Sequence, residues 1–193
     1  MTRSAITRAG IAATVLLIAG AVGLSACTAT IGEVQDADPP APAASEAPDL
    51  PADAFAMIVE SVHDGDTLRA HVTRPNDVVT DTGSTRVRLL GIDTPEISPD
   101  LECWGSQATA VLEEFAPPGA TIWASPDVEV RDQYDRHLLY LWTADGTFIN
   151  AELVAQGAAR VEVYAPNVLY EPLLRDLEAD AQSAGVGRWG ACG

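Results

Sequence analysis

Three short segments carry closely spaced acids and arginines: Asp64-Gly65-Asp66-Thr67, Arg88-Leu89-Leu90-Gly91-Ile92-Asp93-Thr94-Pro95-Glu96, and Asp132-Gln133-Tyr134-Asp135-Arg136. Each alone has an ordinary reading. Asp-Gly-Asp is a tight turn, and not an EF-hand loop, because Gly65 separates the two acids and no Glu closes the loop. Arg88 within an apolar run suits the outer face of a sheet. Asp93 ahead of Thr-Pro suits a turn, and Asp132, Asp135 and Arg136 suit a solvated loop with a weak ion pair. As a set they point to one chemistry. Asp66 and Asp93 each fall where a strand meets a turn, so a barrel would bring them to one rim. Two carboxylates with nearby carbonyls make a hard oxygen site for calcium or magnesium. Glu96 then stands as a general base for a water at that site. Arg88 and Arg136 supply two planar, permanently charged forks for the oxygens of a phosphoryl group as negative charge builds. The constellation predicts metal-assisted hydrolysis of a phosphodiester.

These residues need a scaffold, and the flanking pattern describes one. Residues 56–62 and 67–72 read as strands joined across the Asp64-Gly65-Asp66 turn, the second alternating with period two. Residues 86–92 read as a third strand, which Pro95 ends. Ala108, Val111, Leu112 and Phe115 lie on one helical face, closed by Pro117-Pro118-Gly119. Residues 121–124, 128–130 and 138–142 read as further strand segments. Ile149, Leu153 and Val154 mark a short helix closed by Gly157, and Leu173, Leu174, Leu177 and Ala181 mark a last one. Hairpins with a helix after the third strand fit an α+β fold around a small Greek-key barrel of the OB type.

The rest of the chain bears on location and partners. Arg3 and Arg8 precede an uncharged stretch from Ala9 to Gly32 whose apolar part ends in Leu24-Ser25-Ala26-Cys27. This resembles a bacterial lipoprotein signal, residues 1–27, with Cys27 lipidated as the mature N-terminus; the alternative is an uncleaved signal anchor. Either reading puts the remainder outside the cytoplasm, held at the cell membrane. Residues 28–52 hold five Pro, five acids and no base, the composition of a disordered tether. The folded domain is expected over 53–193, with nine Arg against 23 acids, a net −14 within a chain of −17 that has no Lys. That sign excludes a passive basic nucleic-acid binder. Cys103 and Cys192 are the remaining thiols, and an even pair outside the cytoplasm suggests a disulfide; the alternative is two free thiols. Two Cys and three scattered His are too few for a zinc site. His63 and His71 read as surface residues and His137 as structural. A monomer is the default.

The three segments, in this order and spacing, resemble the staphylococcal nuclease (thermonuclease) family. So do Asn150-Ala151-Glu152-Leu153-Val154-Ala155-Gln156-Gly157 with Ala158-Ala159-Arg160-Val161, and Gly187-Arg188-Trp189-Gly190. The resemblance implies a five-stranded OB-fold barrel with three α-helices. It also implies calcium-dependent cleavage of DNA and RNA, with expulsion of the 5′ oxygen and 3′-phosphate products. By matching position it makes Asp66, Asp93 and the Thr94 carbonyl the metal ligands, and Arg88, Glu96 and Arg136 the catalytic trio. It places Tyr134 and Tyr164 at the substrate. The chain departs from the family at Gln133, where a Lys is common, and lacks the basic residues around the family's cleft, so a high Michaelis constant is expected. The rival expectations are a catalytically weak or inactive OB-fold binding module of the cell surface, and an acidic lipoprotein that merely binds calcium.

Overall fold

The computed structural model describes residues 48–192. The signal segment 1–27 with Cys27, and most of the tether 28–52, lie outside the described residues.

Five strands close into a barrel in the order β1 (Phe55–Val62), β2 (Thr67–His71), β3 (Thr85–Leu89), β6 (His137–Thr143), β5 (Thr121–Ser125). All pairings are antiparallel except β3 with β6, which is parallel and joins Arg88 to Leu138. β1 serves two neighbours: its first half pairs with β5 and its second with β2, and a register shift between Val59 and Ser61 bends it from one to the other. Alternation does the rest. Met57, Val59, Leu68, Ala70, Val87, Leu89, Ile122, Ala124, Leu139 and Leu141 are buried in the core. Thr67, Arg69, Arg86 and Arg88 therefore project from the other face of β2 and β3.

Helix α1 (Gly105–Phe115) sets Ala108 and Leu112 into the core. Helix α2 (Ile149–Ala155) is pinned by Asn150, which is wholly buried. Its Oδ1 accepts from the Leu141 N–H at 3.0 Å and its Nδ2 donates to the Leu90 carbonyl at 2.8 Å, so a polar side chain ties α2 to β6 and to the turn after β3. Helix α3 (Glu171–Ala184) packs on α2 through Leu174, starts with Pro172 in its first turn and stops at Gly185, whose φ is 62°. A four-residue helix, α4 (Arg188–Ala191), follows.

Two details differ from the sequence reading. The third strand does not run through residue 92. Gly91, at φ 77°, turns the chain, and Ile92–Asp93 form a separate strand, β4, antiparallel to β7 (Arg160–Val161). Residues 128–130 are not a strand. The Glu129 N–H donates to Asn167 Oδ1 at 2.8 Å and its carbonyl accepts from Asn167 Nδ2 at 3.0 Å, so a side chain takes the bonds a ladder would have used. Cys103 and Cys192 are bonded, with Cα atoms 5.9 Å apart, tying the segment before α1 to the end of α4.

Candidate functional site

The site begins at the β1–β2 turn. Gly65 packs so closely that a Cβ there would lie 2.7 Å from Thr94 Oγ1 and 2.8 Å from the Ala108 Cβ. Only Gly lets the turn sit between α1 and the segment after β4. That contact delivers Asp66, 5% exposed, to Thr94. Asp66 Oδ2 accepts from the Thr94 N–H at 2.9 Å and from the Thr94 hydroxyl at 3.1 Å, and Oδ1 accepts from the Thr67 hydroxyl at 3.1 Å.

Arg88 stands opposite Thr67 in the β2–β3 register. Its Nη1 pairs with Asp66 Oδ1. Its Nη2 reaches Asp93 Oδ1 at 3.1 Å and the Ile92 carbonyl at 3.0 Å, spanning the Gly91 turn. One guanidinium thus joins the two acids the sequence paired. Burial pulls the Arg88 pKa below its ordinary value, Asp93 opposes that, and nearby Arg136 adds to it. The group stays charged.

Arg136 is aimed by its own loop. Asp132 accepts from the Tyr134 N–H at 2.9 Å, the Arg136 N–H at 2.9 Å and Arg136 Nε at 2.6 Å. These bonds outweigh burial and hold the Asp132 pKa below the ordinary carboxylate value. The Arg136 guanidinium lies 5.6 Å from the centre of the Tyr134 ring. Arg88, Arg136, Tyr134 and Tyr164 border one open cavity of about 520 Å³. Both tyrosines are exposed, at 61% and 71%.

Glu96 and Arg136 border a second cleft of about 340 Å³, with Asp64 in its wall. The Glu96 loop closes on itself: its N–H donates to Glu102 Oε2 at 3.1 Å, and its carbonyl accepts from the Glu102 N–H at 2.9 Å. Partial burial first, then the charges of Asp64 and Asp93, push the Glu96 pKa up. The structure therefore gathers Asp66, Asp93, Thr94, Arg88, Glu96 and Arg136 at one end of the barrel, with Tyr134 and Tyr164 beside them.

The sequence reading gave no site role to three residues that the structure places there. Asp64 is buried, accepts from the Asp66 N–H at 3.2 Å, and has its pKa raised by burial. Its place in the same turn as Asp66 was the available signal. Arg160 holds the other oxygen of Asp93, with Nε at 3.0 Å and Nη2 at 2.9 Å. Only the β4–β7 pairing reveals this, since 67 residues separate the two. Asp132 has the appearance in sequence of a surface acid, yet it positions Arg136. His137 is buried and structural: its Nε2 lies 3.2 Å from the Val78 carbonyl and its Nδ1 2.7 Å from the Thr85 hydroxyl.

Among the described residues no group of three or more His, Cys, Asp or Glu side chains converges as a ready cage for a metal ion. The donors present are nonetheless of the right chemistry for a hard divalent cation: two carboxylates bridged by one guanidinium, with a threonine backbone between Asp93 and Glu96.

Comparison with known proteins agrees with this geometry. The family profile described as staphylococcal nuclease homologue matches residues 86–191. The chain is 31% identical over 135 residues to the thermonuclease of Staphylococcus intermedius, covering 68% of this chain and 74% of that protein. It is 28% identical over 131 residues to the thermonuclease of Staphylococcus hyicus, covering 66% and 72%. It is 33% identical over 130 residues to the SPbeta prophage-derived endonuclease YokF of Bacillus subtilis strain 168, covering 65% of this chain and 41% of that protein. With an OB-type barrel closed as β1-β2-β3-β6-β5 and acids and arginines gathered at its end, the chain belongs to the staphylococcal nuclease family.

Proposed function

We propose that the protein is an extracellular, calcium-dependent nuclease that hydrolyses phosphodiester bonds of DNA and RNA to 3′-phosphate products, tethered to the membrane through a lipidated Cys27. The observation that carries the reading is the joining of Asp66 and Asp93 on the Arg88 guanidinium, next to the cleft that Glu96 and Arg136 share.

In this reading Asp66, Asp93 and the Thr94 carbonyl would hold the cation. When bound it would add positive charge beside the scissile phosphate and lower the pKa of nearby water. Arg88 and Arg136 approach the phosphate from the shared cavity and meet the negative charge that builds on its oxygens. Arg88 is committed to two carboxylates, so its fork turns to phosphate by exchanging part of those contacts. Glu96 accepts the proton of the attacking water as the new P–O bond forms. The bond to the 5′ oxygen breaks, and that oxygen takes a proton from solvent. Asp132 keeps Arg136 from swinging away during the exchange.

The bond between Cys103 and Cys192 supports an oxidising compartment. The signal pattern at residues 1–27 supports the anchor. Detergent-dependent extraction from membranes, abolished by Cys27→Ser, tests the anchor.

The catalytic test is cleavage of single-stranded DNA and of RNA with calcium, with and without chelator. Cleavage that chelator stops, and that Glu96→Gln lowers by about 10² to 10⁴-fold, is the expected result. No cleavage with calcium present rejects the reading. The alternative is a catalytically weak or inactive OB-fold binding module of the cell surface, which the acidic charge favours and which takes a partner other than a polyanion. Neither cleavage nor binding of strands by the folded protein would favour it.

A further inference from the structure

The protein's charge poses a problem for any polyanionic substrate: nine Arg against 23 acids over residues 53–193. The distribution of those arginines offers an answer. Among the described residues Arg88, Arg131, Arg136, Arg160 and Arg175 each have a carboxylate within ion-pair distance. Arg69, Arg74, Arg86 and Arg188 have none, and of these Arg69 and Arg86 line the cleft of Glu96 and Arg136. Both are exposed, and they are directly paired across β2 and β3. The next pair along that face is Thr67 with Arg88. Arg86 Nη2 donates to the Tyr134 carbonyl at 2.5 Å, which holds its guanidinium against the loop that carries Arg136. Arg136 borders both this cleft and the cavity of Arg88 and Tyr164. The four arginines thus follow one path: Arg88, Arg136, Arg86, Arg69. Arg86 and Arg88 are neighbouring positions on one face of β3, about 6.6 Å apart along the strand, and Arg69 lies directly across the ladder from Arg86.

We propose that Arg69 and Arg86 form an auxiliary phosphate track that holds the backbone of a single-stranded polynucleotide leading away from the reacting phosphate. The proposal rests on the nuclease reading above and specifies its substrate as a strand with phosphates beyond the one cleaved. A local row of unneutralised guanidinium groups overcomes a repulsive net charge because field strength falls off over a Debye length, about 8 Å at physiological salt. Asp64 and Glu96 lie in the same cleft, and Glu60, beyond Arg69, takes the Ser84 hydroxyl and His71 Nδ1. The track therefore ends near Arg69.

The test is strand binding by the Glu96→Gln protein at several salt concentrations, with Arg69→Gln, Arg86→Gln and the double change added. Arg74→Gln is the control, because Arg74 is exposed and outside both clefts. The double change is expected to weaken binding of a ten-nucleotide oligomer by roughly tenfold and to flatten the salt dependence by about 0.7 in slope per arginine. The loss should shrink as the strand is shortened toward a dinucleotide, and Arg→Lys at both positions should restore most of it. Binding and slope equal to those of the parent, or a loss no larger than that of Arg74→Gln, overturns the track. If the unsubstituted protein binds strands through these arginines and never cleaves them, the track stands and the catalytic reading falls.

Discussion

Arg88 joins Asp66 and Asp93 through one guanidinium. Its partner Asp66 is nearly enclosed, so removing the guanidinium leaves a buried carboxylate with three hydroxyl and amide donors but no counter-charge. Arg88→Gln is expected to cost about 3 kcal/mol, the low end for breaking a buried pair because those three donors remain. Urea melts measure it, and a loss below 1 kcal/mol would show the pair to be solvated. Asp132 acts differently. Its three bonds orient Arg136, so Asp132→Asn should lower turnover and also cost stability near neutral pH, where the carboxylate is charged. The acid dependence follows from its depressed pKa. The contribution of Asp132 is complete above the ordinary carboxylate pKa and is lost as pH falls through the lower folded value. Comparing the acid melts of the protein and of Asp132→Asn should show the two curves meeting only at strongly acid pH.

At the scale of elements, close approaches at two glycines place the site. At Gly105 a Cβ would lie 2.5 Å from the Glu96 carbonyl, so the first residue of α1 is the seat of the Glu96 loop. Gly105→Ala must displace backbone rather than a flexible side chain. It should destabilise by roughly 1–3 kcal/mol and lower kcat with little change in strand binding. Equal kcat in the variant would show that the Glu96 loop tolerates displacement. The junction of β3 with β6 carries a second, pH-dependent contact. The Val78 carbonyl can only accept, so His137 Nε2 carries the proton and Nδ1 accepts from the Thr85 hydroxyl, which fits neutral imidazole. Burial lowers its pKa from the ordinary 6.5. As pH falls below that value the unfolded chain takes up a proton that the folded one refuses, so stability declines. Thermal midpoints measured downward from neutral pH should fall more steeply for the parent than for His137→Asn.

For the molecule as a whole, the Cys103–Cys192 bond closes a loop of 89 residues that contains α1, β5, β6, α2, β7, α3 and α4. Constraint of the unfolded chain predicts up to about 4–5 kcal/mol from such a crosslink. Reduction, or Cys103→Ser with Cys192→Ser, should lower the urea midpoint accordingly; an unchanged midpoint would place its value elsewhere. Cys103 also adjoins Glu102, the partner of the Glu96 backbone, so the crosslink bears on the site as well as on the fold. Charge acts at this scale too: 28 acids against 11 arginines keep the molecule soluble but repel a polyanion, and only a local row of positive groups offsets that.

Local pattern makes most barrel strands legible and marks the acids and arginines that the structure gathers at one end of the barrel. Alternation around Leu68 and Val87, the turn at Gly65 and the spacing from Arg88 to Glu96 are short-range patterns, each set by neighbours a few residues away. Family likeness adds Thr94, Tyr134 and Tyr164 as expectations, and the structure places them beside these groups. What sequence left open depends on residues brought together over long separations. The Gly91 turn makes a two-residue strand that meets β7, so Arg160 reaches Asp93, and Asn167 captures Glu129 in place of a strand. The pairing of Arg69 with Arg86 likewise exists only once β2 and β3 are in register. Local preference is a property of neighbouring residues, whereas the partner of a charged side chain is chosen by the closed barrel, which decides what lies within a few ångströms of it.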